Sequence, residues 1–244
     1  KMQIYHLKQP NVELKFTNFG GHILQYTKNG QNQLFVSEFA VLDGSKPIRG
    51  GIPVCWPWFG PVRSPQHGTA RTSIFQISAQ KCENNEIFLE MKLTDQKNEM
   101  QLTQEISATP QSLKIKYISK NLSNHLQSYS AAMHTYFAVP AADFSSTSFG
   151  SCKAFDKVAN QEVLMPETLL IEKETDLVVE KTGVVEFNQR KVEHNGGKTV
   201  VWNPWEKAQG MGDLKNAEGF VCVEALKEGQ IEADKEDVLE MTLW

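Results

Sequence analysis

Several common classes of protein are excluded by what this sequence lacks. No apolar run reaches the ~18–20 residues that a membrane-spanning helix requires. No charged-then-apolar leader stands near the start, and Lys1, which precedes Met2, is interpreted as an expression remnant. The formal net charge is −4, whereas nucleic acids and anionic membranes select basic surfaces. We therefore expect a cytoplasmic protein without membrane or nucleic-acid partners.

Cysteine and histidine form no recognised ligand motif. The four cysteines (Cys55, Cys82, Cys152 and Cys222) are far apart, and no two form a C-x-x-C pair. Reduced thiols in a cytosolic protein are the expected state. The six histidines show neither H-x-H nor H-E-x-x-H spacing. The sequence thus predicts no dedicated metal site.

Arginine is rare and concentrated in one stretch. The chain has 25 lysines and arginines together, four of them arginines, and Arg49, Arg63 and Arg71 all fall within residues 47–71. A planar guanidinium grips a carboxylate or phosphate at two points, whereas lysine is a mobile point charge. This stretch, called the arginine loop below, therefore predicts that an oxyanion is held there.

The arginine loop is also expected to be stiff and irregular. Prolines recur at positions 53, 57, 61 and 65, and this spacing is incompatible with a helix or a central strand. Glycines at 50, 51, 60 and 68 allow sharp turns or a close approach to a ligand. An alternative interpretation is a structural plug, in which aromatic residues cover a sheet end and the arginines pair with acidic neighbours.

Convincing amphipathic helices are nearly absent, and short alternating segments recur along the chain instead. Asn29-Gly30 is a typical hairpin turn, and a small-residue loop is expected at 140–148. The pattern predicts one all-β domain over residues 1–244, with two packed antiparallel sheets. Strands are predicted at 12–16, 22–27, 33–37, 73–79, 87–93, 101–107, 113–119, 129–139, 199–202, 220–226 and 238–243, with shorter ones within 162–177 and 184–192.

Two ionisable residues interrupt apolar strands. Glu224 shares a strand face with Cys222, and His134 shares one with Tyr136, because side chains alternate with a period of two. A half-buried carboxylate or imidazole can have its pKa tuned toward neutrality, as general acid–base catalysis requires. The alternatives are a glutamate that faces solvent and a histidine with a purely structural role.

Read together, the motifs resemble the aldose 1-epimerase-like superfamily, and specifically its hexose-6-phosphate mutarotase branch. They occur in the family's order from about residue 19 to 226, and the ordered set is far more specific than any one motif. The matching segments are PIRGGIP (47–53), WPWFG (56–60), QHGTAR (66–71), HTYF (134–137), ETD (174–176), WNPW (202–205) and VCVEA (221–225).

This resemblance implies a fold, an activity and roles for individual residues. The implied fold is a galactose mutarotase-like β-supersandwich, and the implied activity is cofactor-free interconversion of the α and β anomers of a sugar 6-phosphate. By this likeness, Glu224 takes the proton of the anomeric hydroxyl and His134 protonates the ring oxygen. The implied substrate-binding residues are Arg49, Gln66, His67, Arg71 and Asp176, with Arg49 and Arg71 on the phosphate and His67 as the weakest match.

Some features stay open at this stage. Thr69 and Leu177 depart from residues that are common in the family, and the roles of Arg63 and Asp213 are unassigned. Trp56 and Trp58 either stack on the sugar or, as we favour, form core or wall. The alternative functions are an aldose 1-epimerase for free sugars and a non-catalytic carbohydrate-binding domain. We expect a monomer whose partner is a small phosphosugar.

Overall fold

Antiparallel β-strands make up nearly all of the regular structure. The structure, a computed structural model, describes residues 1–139, 145–146 and 149–244. Two 3-10 helices, Ala70–Thr72 and Trp205–Gly210, occur among them. None of the helices in these ranges has the length and apolar character needed to cross a bilayer. The strands are β1 (Ile4–Gln9), β2 (Val12–Thr17), β3 (His22–Lys28), β4 (Gln31–Asn32), β5 (Val54–Cys55), β6 (Gln76–Glu83), β7 (Glu86–Asp95), β8 (Met100–Ala108), β9 (Leu113–Asn121), β10 (Gln127–Met133), β11 (Tyr136–Ala138), β12 (Ser145–Ser146), β13 (Lys153–Asp156), β14 (Gln161–Leu164), β15 (Leu169–Leu170), β16 (Thr175–Val179), β17 (Gly183–Phe187), β18 (Arg190–His194), β19 (Lys198–Asn203), β20 (Phe220–Ile231) and β21 (Glu236–Leu243).

Within the described residues the strands form three sheets. A four-stranded sheet has the order β1-β2-β3-β4, and a nine-stranded sheet has the order β15-β12-β17-β18-β21-β9-β8-β7-β6. An eight-stranded sheet has the order β14-β13-β16-β19-β20-β10-β5, with β11 paired to β20. The predicted all-β antiparallel fold is confirmed, and the N-terminal strands add a third sheet to the two that the sequence predicts.

One hydrophobic core joins the three sheets. Its members include Phe16 from the four-stranded sheet, Val223 from the eight-stranded sheet and Ile106 from the nine-stranded sheet. On β8 the burial alternates strictly with sequence position, because one face of this strand meets the core and the other does not. Each fully buried side chain of this size contributes about 1.5–3 kcal/mol relative to exposure, so this core is a principal source of stability.

The eight-stranded sheet has two different faces. On β20, Val221, Val223 and Ala225 belong to the main core. The residues between them, Cys222 and Glu224, are equally buried but point to the opposite face, since side chains alternate along a strand. We call these the inner and the outer face of the sheet. The outer face is where the candidate site lies.

The observed strand boundaries correct several predictions. The predicted strand 33–37 is wrong as a strand, because only Gln31–Asn32 pairs regularly and two residues beyond it form isolated bridges. The predicted strand 129–139 is two strands, β10 and β11, separated by His134 and Thr135. Strand β1 was not predicted. Of the predicted loop 140–148, residues 145–146 are a strand and the others lie outside the described residues.

Candidate active site

A single cavity on the outer face of the eight-stranded sheet collects the predicted site residues. Its volume is 510 Å³, and its wall combines that face with the arginine loop and with two residues from the segment 204–219. The strands supply a fixed floor, while the loops bring the cationic side chains over it. All seven predicted residues line it: Arg49, Gln66, His67, Arg71, His134, Asp176 and Glu224.

His134 and Glu224 face each other across two neighbouring strands. Met133 pairs with Ala225, and Tyr136 pairs with Cys222. Because both pairs keep the same antiparallel register, His134 lies directly opposite Glu224, although it belongs to neither strand. Nε2 of His134 is 3.3 Å from Oε1 of Glu224. The fold therefore joins two side chains that are remote in sequence.

The carboxyl group of Glu224 is almost completely enclosed. Its side chain is 1% exposed, and its Oε2 atom has no hydrogen-bond partner within the described part of the chain. Burial is the main reason why the pKa of Glu224 lies well above its usual value, and the nearby Asp176 raises it further. Lys157 and Arg71 act in the opposite direction. The result is a carboxyl group that holds a proton more readily than a glutamate in water.

The imidazole of His134 is shifted in the complementary direction. Burial lowers its pKa well below the usual value, and the positive charges of Arg49 and Arg71 lower it further. The ring stacks on Tyr136 with centroids 4.9 Å apart, and its backbone N–H donates to the carbonyl of Pro53 at 3.1 Å. The ring is thus held between a strand residue and the arginine loop. Protonated, it would be a stronger acid than histidine in water.

The arginine loop is fixed to the rest of the fold by close backbone approaches. Nε2 of His22 donates to the carbonyl of Gly50 at 2.7 Å. At Gly51 (φ 64°), a Cβ atom would lie 2.1 Å from the carbonyl oxygen of Ile23, so only glycine fits. At Gly68 (φ 79°), a Cβ atom would lie 2.1 Å from the carbonyl oxygen of Trp56. These contacts hold the loop against the sheet and so determine where its cationic side chains lie.

The two arginines that line the cavity are held differently. Arg49 donates from Nε to Asp213 at 3.2 Å and from Nη1 to the hydroxyl of Tyr136 at 3.1 Å. Arg71 donates to the backbone carbonyl of Gln66 and has no carboxylate partner among the described residues. The structural-plug interpretation therefore applies in part to Arg49 alone. Arg71 keeps a net positive charge for a ligand.

His67 is positioned as a neutral hydrogen-bond donor. The backbone N–H of Gly60 donates to Nδ1 of His67 at 3.2 Å, so the ring proton must be on Nε2. Burial, with the charges of Arg71, Lys157 and Arg49, lowers the pKa of His67 to about 3. The ring therefore stays neutral near pH 7, and its Nε2–H faces the side-chain amide of Gln66, 3.2 Å away, at the cavity wall.

Asp176 contributes a second carboxyl group. It lies on β16 and pairs in register with Trp202 on β19. Burial raises the pKa of Asp176, while the ammonium of Lys157, 3.5 Å from Oδ1, lowers it. Asp176 is therefore a hydrogen-bonding group with a local counter-charge, and it also influences the charge of Glu224 across the floor of the cavity.

Sequence reasoning missed several residues of the cavity wall. Tyr136 could have been found, because it shares a strand face with His134. Lys157 follows β13 in a turn, and Asp213 lies in an irregular segment, so no periodic pattern places either one. The missed lining residues that carry charge or an aromatic ring are Lys46, Phe59, Tyr136, Lys157, Trp202 and Asp213.

The contacts of Trp56, Trp58 and Arg63 show where these three residues of the arginine loop pack. Trp56 is fully buried and donates to Ser119 at 3.0 Å, and Trp58 donates to the carbonyl of Pro65 at 2.8 Å. Both tryptophans are therefore core or wall residues, as favoured. Arg63 lies over the ring of Trp58 at 5.5 Å and is not part of the cavity wall.

The two departures from the family pattern do not reach the cavity. Thr69 donates to Asp95 at 2.6 Å, which engages its hydroxyl outside the cavity wall. Leu177 belongs to the main core on the inner face of the sheet. Neither residue lines the cavity, so neither change alters the surface that a ligand would meet.

Three potential metal ligands meet on the outer face. One donor atom each from His134, Cys222 and Glu224 lie within 4.8 Å of one another. Burial raises the pKa of the Cys222 thiol well above its usual value, and a protonated thiol is a poor ligand. A metal ion at this position would have to displace that proton, whereas His134 and Glu224 can exchange a proton across their 3.3 Å contact without one.

Comparisons with known proteins point to one enzyme family. The family model for aldose 1-epimerase matches residues 3–236. A protein of Escherichia coli named "putative glucose-6-phosphate 1-epimerase" is 28% identical over 247 residues, which cover 92% of this chain and 83% of that protein. A protein of the same name from Haemophilus influenzae is 27% identical over 207 residues, covering 81% of this chain and 74% of its own length.

The fold is shared with solved structures. The crystal structure of a "putative mutarotase" from Salmonella typhimurium superposes with a TM-score of 0.91 at 24% identity, covering 100% of this chain and 90% of that one. A galactose 1-epimerase from Lactobacillus acidophilus superposes with a TM-score of 0.75 at 12% identity, covering 100% of this chain and 98% of that one. At these identities the likeness shows a common fold, the galactose mutarotase-like β-sandwich.

Proposed function

This chain belongs to the aldose 1-epimerase family, and we propose that it interconverts the α and β anomers of hexose 6-phosphates. The observation that carries the proposal is a buried carboxylate–imidazole pair, 3.3 Å apart, in a cavity that two arginines also line. The relatives named glucose-6-phosphate 1-epimerase support glucose 6-phosphate as the substrate. The enzyme would then be an isomerase.

The proposed reaction needs one proton taken and one given on the same sugar ring. The carboxylate of Glu224 removes the proton of the anomeric hydroxyl, while the imidazolium of His134 protonates the ring oxygen. The bond between C1 and the ring oxygen breaks, and an aldehyde forms at C1. Rotation about C1–C2 presents the other face of the aldehyde. Ring closure then returns both protons, and the two residues recover their starting states.

The shifted pKa values fit this reversible exchange. Before ring opening the pair is Glu⁻ and HisH⁺, and afterwards both residues are neutral. Burial favours the neutral state, as the opposite pKa shifts of Glu224 and His134 indicate. Attraction across 3.3 Å favours the ion pair. Because these effects oppose each other, both states can be reached, and a positioned proton-transfer group is typically worth about 10²–10⁴-fold in rate.

Charge in the cavity supports a phosphorylated substrate. Four cationic side chains line the wall, those of Lys46, Arg49, Arg71 and Lys157, against the carboxyl groups of Asp176, Asp213 and Glu224. In the proposal, Arg49 and Arg71 hold the phosphate. A hydrogen bond to a charged group contributes about 1.5–3 kcal/mol. Two such contacts would favour the phosphosugar over its neutral parent by several orders of magnitude.

The remaining predicted residues are assigned to the sugar hydroxyls. Gln66 and His67 adjoin each other at the cavity wall, with Nε2 of His67 and the amide nitrogen of Gln66 3.2 Å apart. His67 would donate its Nε2–H to a hydroxyl in exchange for its contact with Gln66, and Asp176 would accept a hydrogen bond. The proposal needs no metal and no cofactor, because the two proton-transfer residues supply both the acid and the base.

We also propose an oligomeric state, a class of partner and a location for the protein. The residues assigned above complete the proposed site without a second subunit, and we propose that the protein is a monomer of one domain. The net charge of −4 argues against nucleic-acid partners, and we place the activity in the cytoplasm. Size-exclusion chromatography at micromolar concentration tests the monomer, and a stable dimer would contradict it.

Magnetisation-exchange NMR on the anomers of glucose 6-phosphate and of glucose, with and without protein, tests the function. The proposal expects faster exchange for glucose 6-phosphate only. Acceleration of glucose to the same degree would instead favour a free-aldose 1-epimerase. Binding of either sugar without acceleration would favour a non-catalytic carbohydrate-binding domain.

A further inference from the structure

Lys157 is a cation of the cavity wall that the proposed reaction does not use. It directly follows β13, and its backbone N–H donates to the carbonyl of Asp176 at 2.9 Å. Because Asp156 pairs with Leu177, this bond extends the register of β13 and β16 by one residue, and Lys157 lies opposite Asp176. Its Nζ atom is 3.5 Å from Oδ1 of Asp176 and 5.3 Å from the ring centroid of Phe59. The ammonium group therefore stands between the sheet and the arginine loop.

The partner of Lys157 is a carboxyl group that works against the proposed base. Asp176 pairs with Trp202, and Trp202 pairs with Cys222, two residues before Glu224 on the same strand. Asp176 and Glu224 therefore lie in neighbouring rows of side chains on the outer face. Beyond the effect of burial, the charge of Asp176 raises the pKa of Glu224. A carboxylate assigned to a sugar hydroxyl thus also favours a proton on the base.

Few of the groups around Glu224 carry charge at neutral pH. Burial raises the pKa values of two thiols and a phenol among them, so these three stay neutral near pH 7. The charges that act on Glu224 from outside its pair with His134 are therefore those of Asp176, Lys157 and Arg71. The ionisable groups that interact with Glu224 among the described residues are Cys55, Arg71, His134, Tyr136, Lys157, Asp176 and Cys222.

The two cations among these charges act differently on the catalytic pair. Against the larger effect of burial, both Lys157 and Arg71 lower the pKa of Glu224. Arg71 also lowers the pKa of His134, so it affects both members of the pair. Lys157, beside Asp176, acts from the carboxyl side. A positive charge nearer to the carboxylate than to the imidazole stabilises Glu⁻–HisH⁺ relative to the neutral pair.

We propose that Lys157 is a positioning residue for the shared proton: its ammonium group offsets the charge of Asp176 and so holds the proton on His134 rather than on Glu224. The inference rests on the proposed function, because Glu⁻–HisH⁺ is the form that opens the ring. A phosphate monoester carries a charge of about −1.5 to −2 at pH 7, so a bound phosphate would offset the charges of the two arginines. Lys157, held by Asp176, would keep its effect on the base in that complex.

The test compares Lys157→Met with wild type and with Lys207→Met, a matched control. Lys207 is exposed, forms an ion pair with Glu174 at 2.6 Å, two residues before Asp176, and does not line the cavity. Nitrogen-15 NMR of the histidine-labelled free protein measures the ratio of imidazolium to neutral imidazole at His134, whose signal is assigned with His134→Asn. Magnetisation-exchange NMR measures kcat for glucose 6-phosphate as a function of pH.

In Lys157→Met the ratio of imidazolium to neutral imidazole at His134 should fall by about 3- to 10-fold at pH 7, as expected for a partly screened charge. The value of kcat should fall by the same factor. The acid limb of the kcat profile, which belongs to the pair as a whole, should move to higher pH, because loss of a nearby cation favours protonation. Lys207→Met should match wild type in all three measurements.

Two further variants separate charge from structure. Lys157→Arg keeps the charge and should retain most of the imidazolium signal. Asp176→Asn in the Lys157→Met background should move the signal back toward wild type, because both opposing charges are then gone. An unchanged His134 signal in Lys157→Met would overturn the inference, and a fall in kcat without that change would make Lys157 a substrate contact instead. Should wild type accelerate no anomer exchange, the proposed function fails, yet the signal of the free protein still decides the role of Lys157.

Discussion

The inner and outer faces of the eight-stranded sheet are built from the same strands and have opposite characters. Met133 and Val223 point into the main core, while their immediate neighbours His134 and Glu224 meet in the cavity. Residues on the inner face stabilise the fold through contact alone. Residues on the outer face are nearly as buried, yet they include ionisable groups whose pKa values are displaced by that burial. Burial by itself therefore does not distinguish a core from an active site.

The difference arises from what covers each face. Other sheets cover the inner face, and their apolar side chains match it. The arginine loop and the segment 204–219 cover the outer face incompletely and leave the cavity. Apolar clusters around Tyr136 and around Val200 flank the proposed catalytic pair, His134 and Glu224, on this face. Water is thus partly excluded from the pair, which strengthens the electrostatic interactions there.

The largest expected effect is loss of activity on the outer face. Glu224→Gln removes the base and keeps the shape, so kcat for glucose 6-phosphate should fall by about 10²–10⁴-fold. The thermal midpoint should equal or exceed that of wild type, because a desolvated carboxyl group is removed. Glu228→Gln, an exposed change on the same strand, is the control. Full activity in Glu224→Gln would refute the assigned role.

A substitution on the inner face should lower stability and leave anomer exchange nearly unchanged. Met133→Ala, next to His134, leaves a cavity in the core, and we expect it to lower the free energy of unfolding by about 2–5 kcal/mol. Urea unfolding measures this loss, and anomer exchange per folded molecule should stay near the wild-type value. A large loss of exchange in the folded variant would mean that the two faces are not separable.

A smaller effect should separate the charged end of the cavity from the proposed catalytic pair. Arg71→Ala should lower kcat/KM for glucose 6-phosphate by about 10- to 150-fold, the equivalent of one charge-assisted hydrogen bond. Most of the change should appear in KM. Arg63→Ala is the control, since this arginine of the same loop does not line the cavity. An equal effect of Arg71→Ala on a neutral sugar would count against phosphate recognition.

The last effect concerns pH and two histidines whose pKa values are lowered in the folded protein. The pKa of His67 in the cavity is lowered to about 3, and that of His194, on β18 of the nine-stranded sheet, to about 4. Below pH ~6.5 these two histidines bind protons in the unfolded state but stay neutral in the folded state. The free energy of unfolding therefore falls as the pH falls toward 4. Each histidine should contribute about 1.4 kcal/mol per pH unit at most.

Asparagine at either position should reduce this acid dependence, measured by urea unfolding between pH 4 and 7. His67→Asn should also raise KM for the phosphosugar, whereas His194→Asn should leave KM unchanged, because only His67 lines the cavity. An unchanged acid slope in His194→Asn would show that other groups cause the acid sensitivity.

The sequence was sufficient to predict the strands and which residues share a strand face. It was not sufficient to predict what packs against each face. Period-two alternation correctly grouped Glu224 with Cys222 and His134 with Tyr136. It could not show which face is the core, because residues 220–226 are buried on both sides. Nor could it show that His134 lies between two strands, since the apolar pattern continues through it.

Contacts between irregular segments were beyond sequence reasoning. Arg49 and Asp213 are separated by 164 positions and lie in segments without periodicity, so no local rule could pair them. Lys157 reaches Asp176 from a turn for the same reason. The family resemblance supplied the seven candidate residues, and their convergence on one cavity is a property of the fold.

Tyr136 connects the two ends of the cavity. One face of its ring lies against the imidazole of His134, and its hydroxyl accepts a hydrogen bond from Arg49. One rigid residue therefore sets the distance from the guanidinium group to the site of proton transfer. Such a fixed distance selects substrates by the number of carbons between the phosphate and the anomeric carbon. In the proposed function, a sugar phosphate one carbon shorter than a hexose, with its phosphate held at Arg49, should therefore present its anomeric oxygen less well to Glu224 and react more slowly.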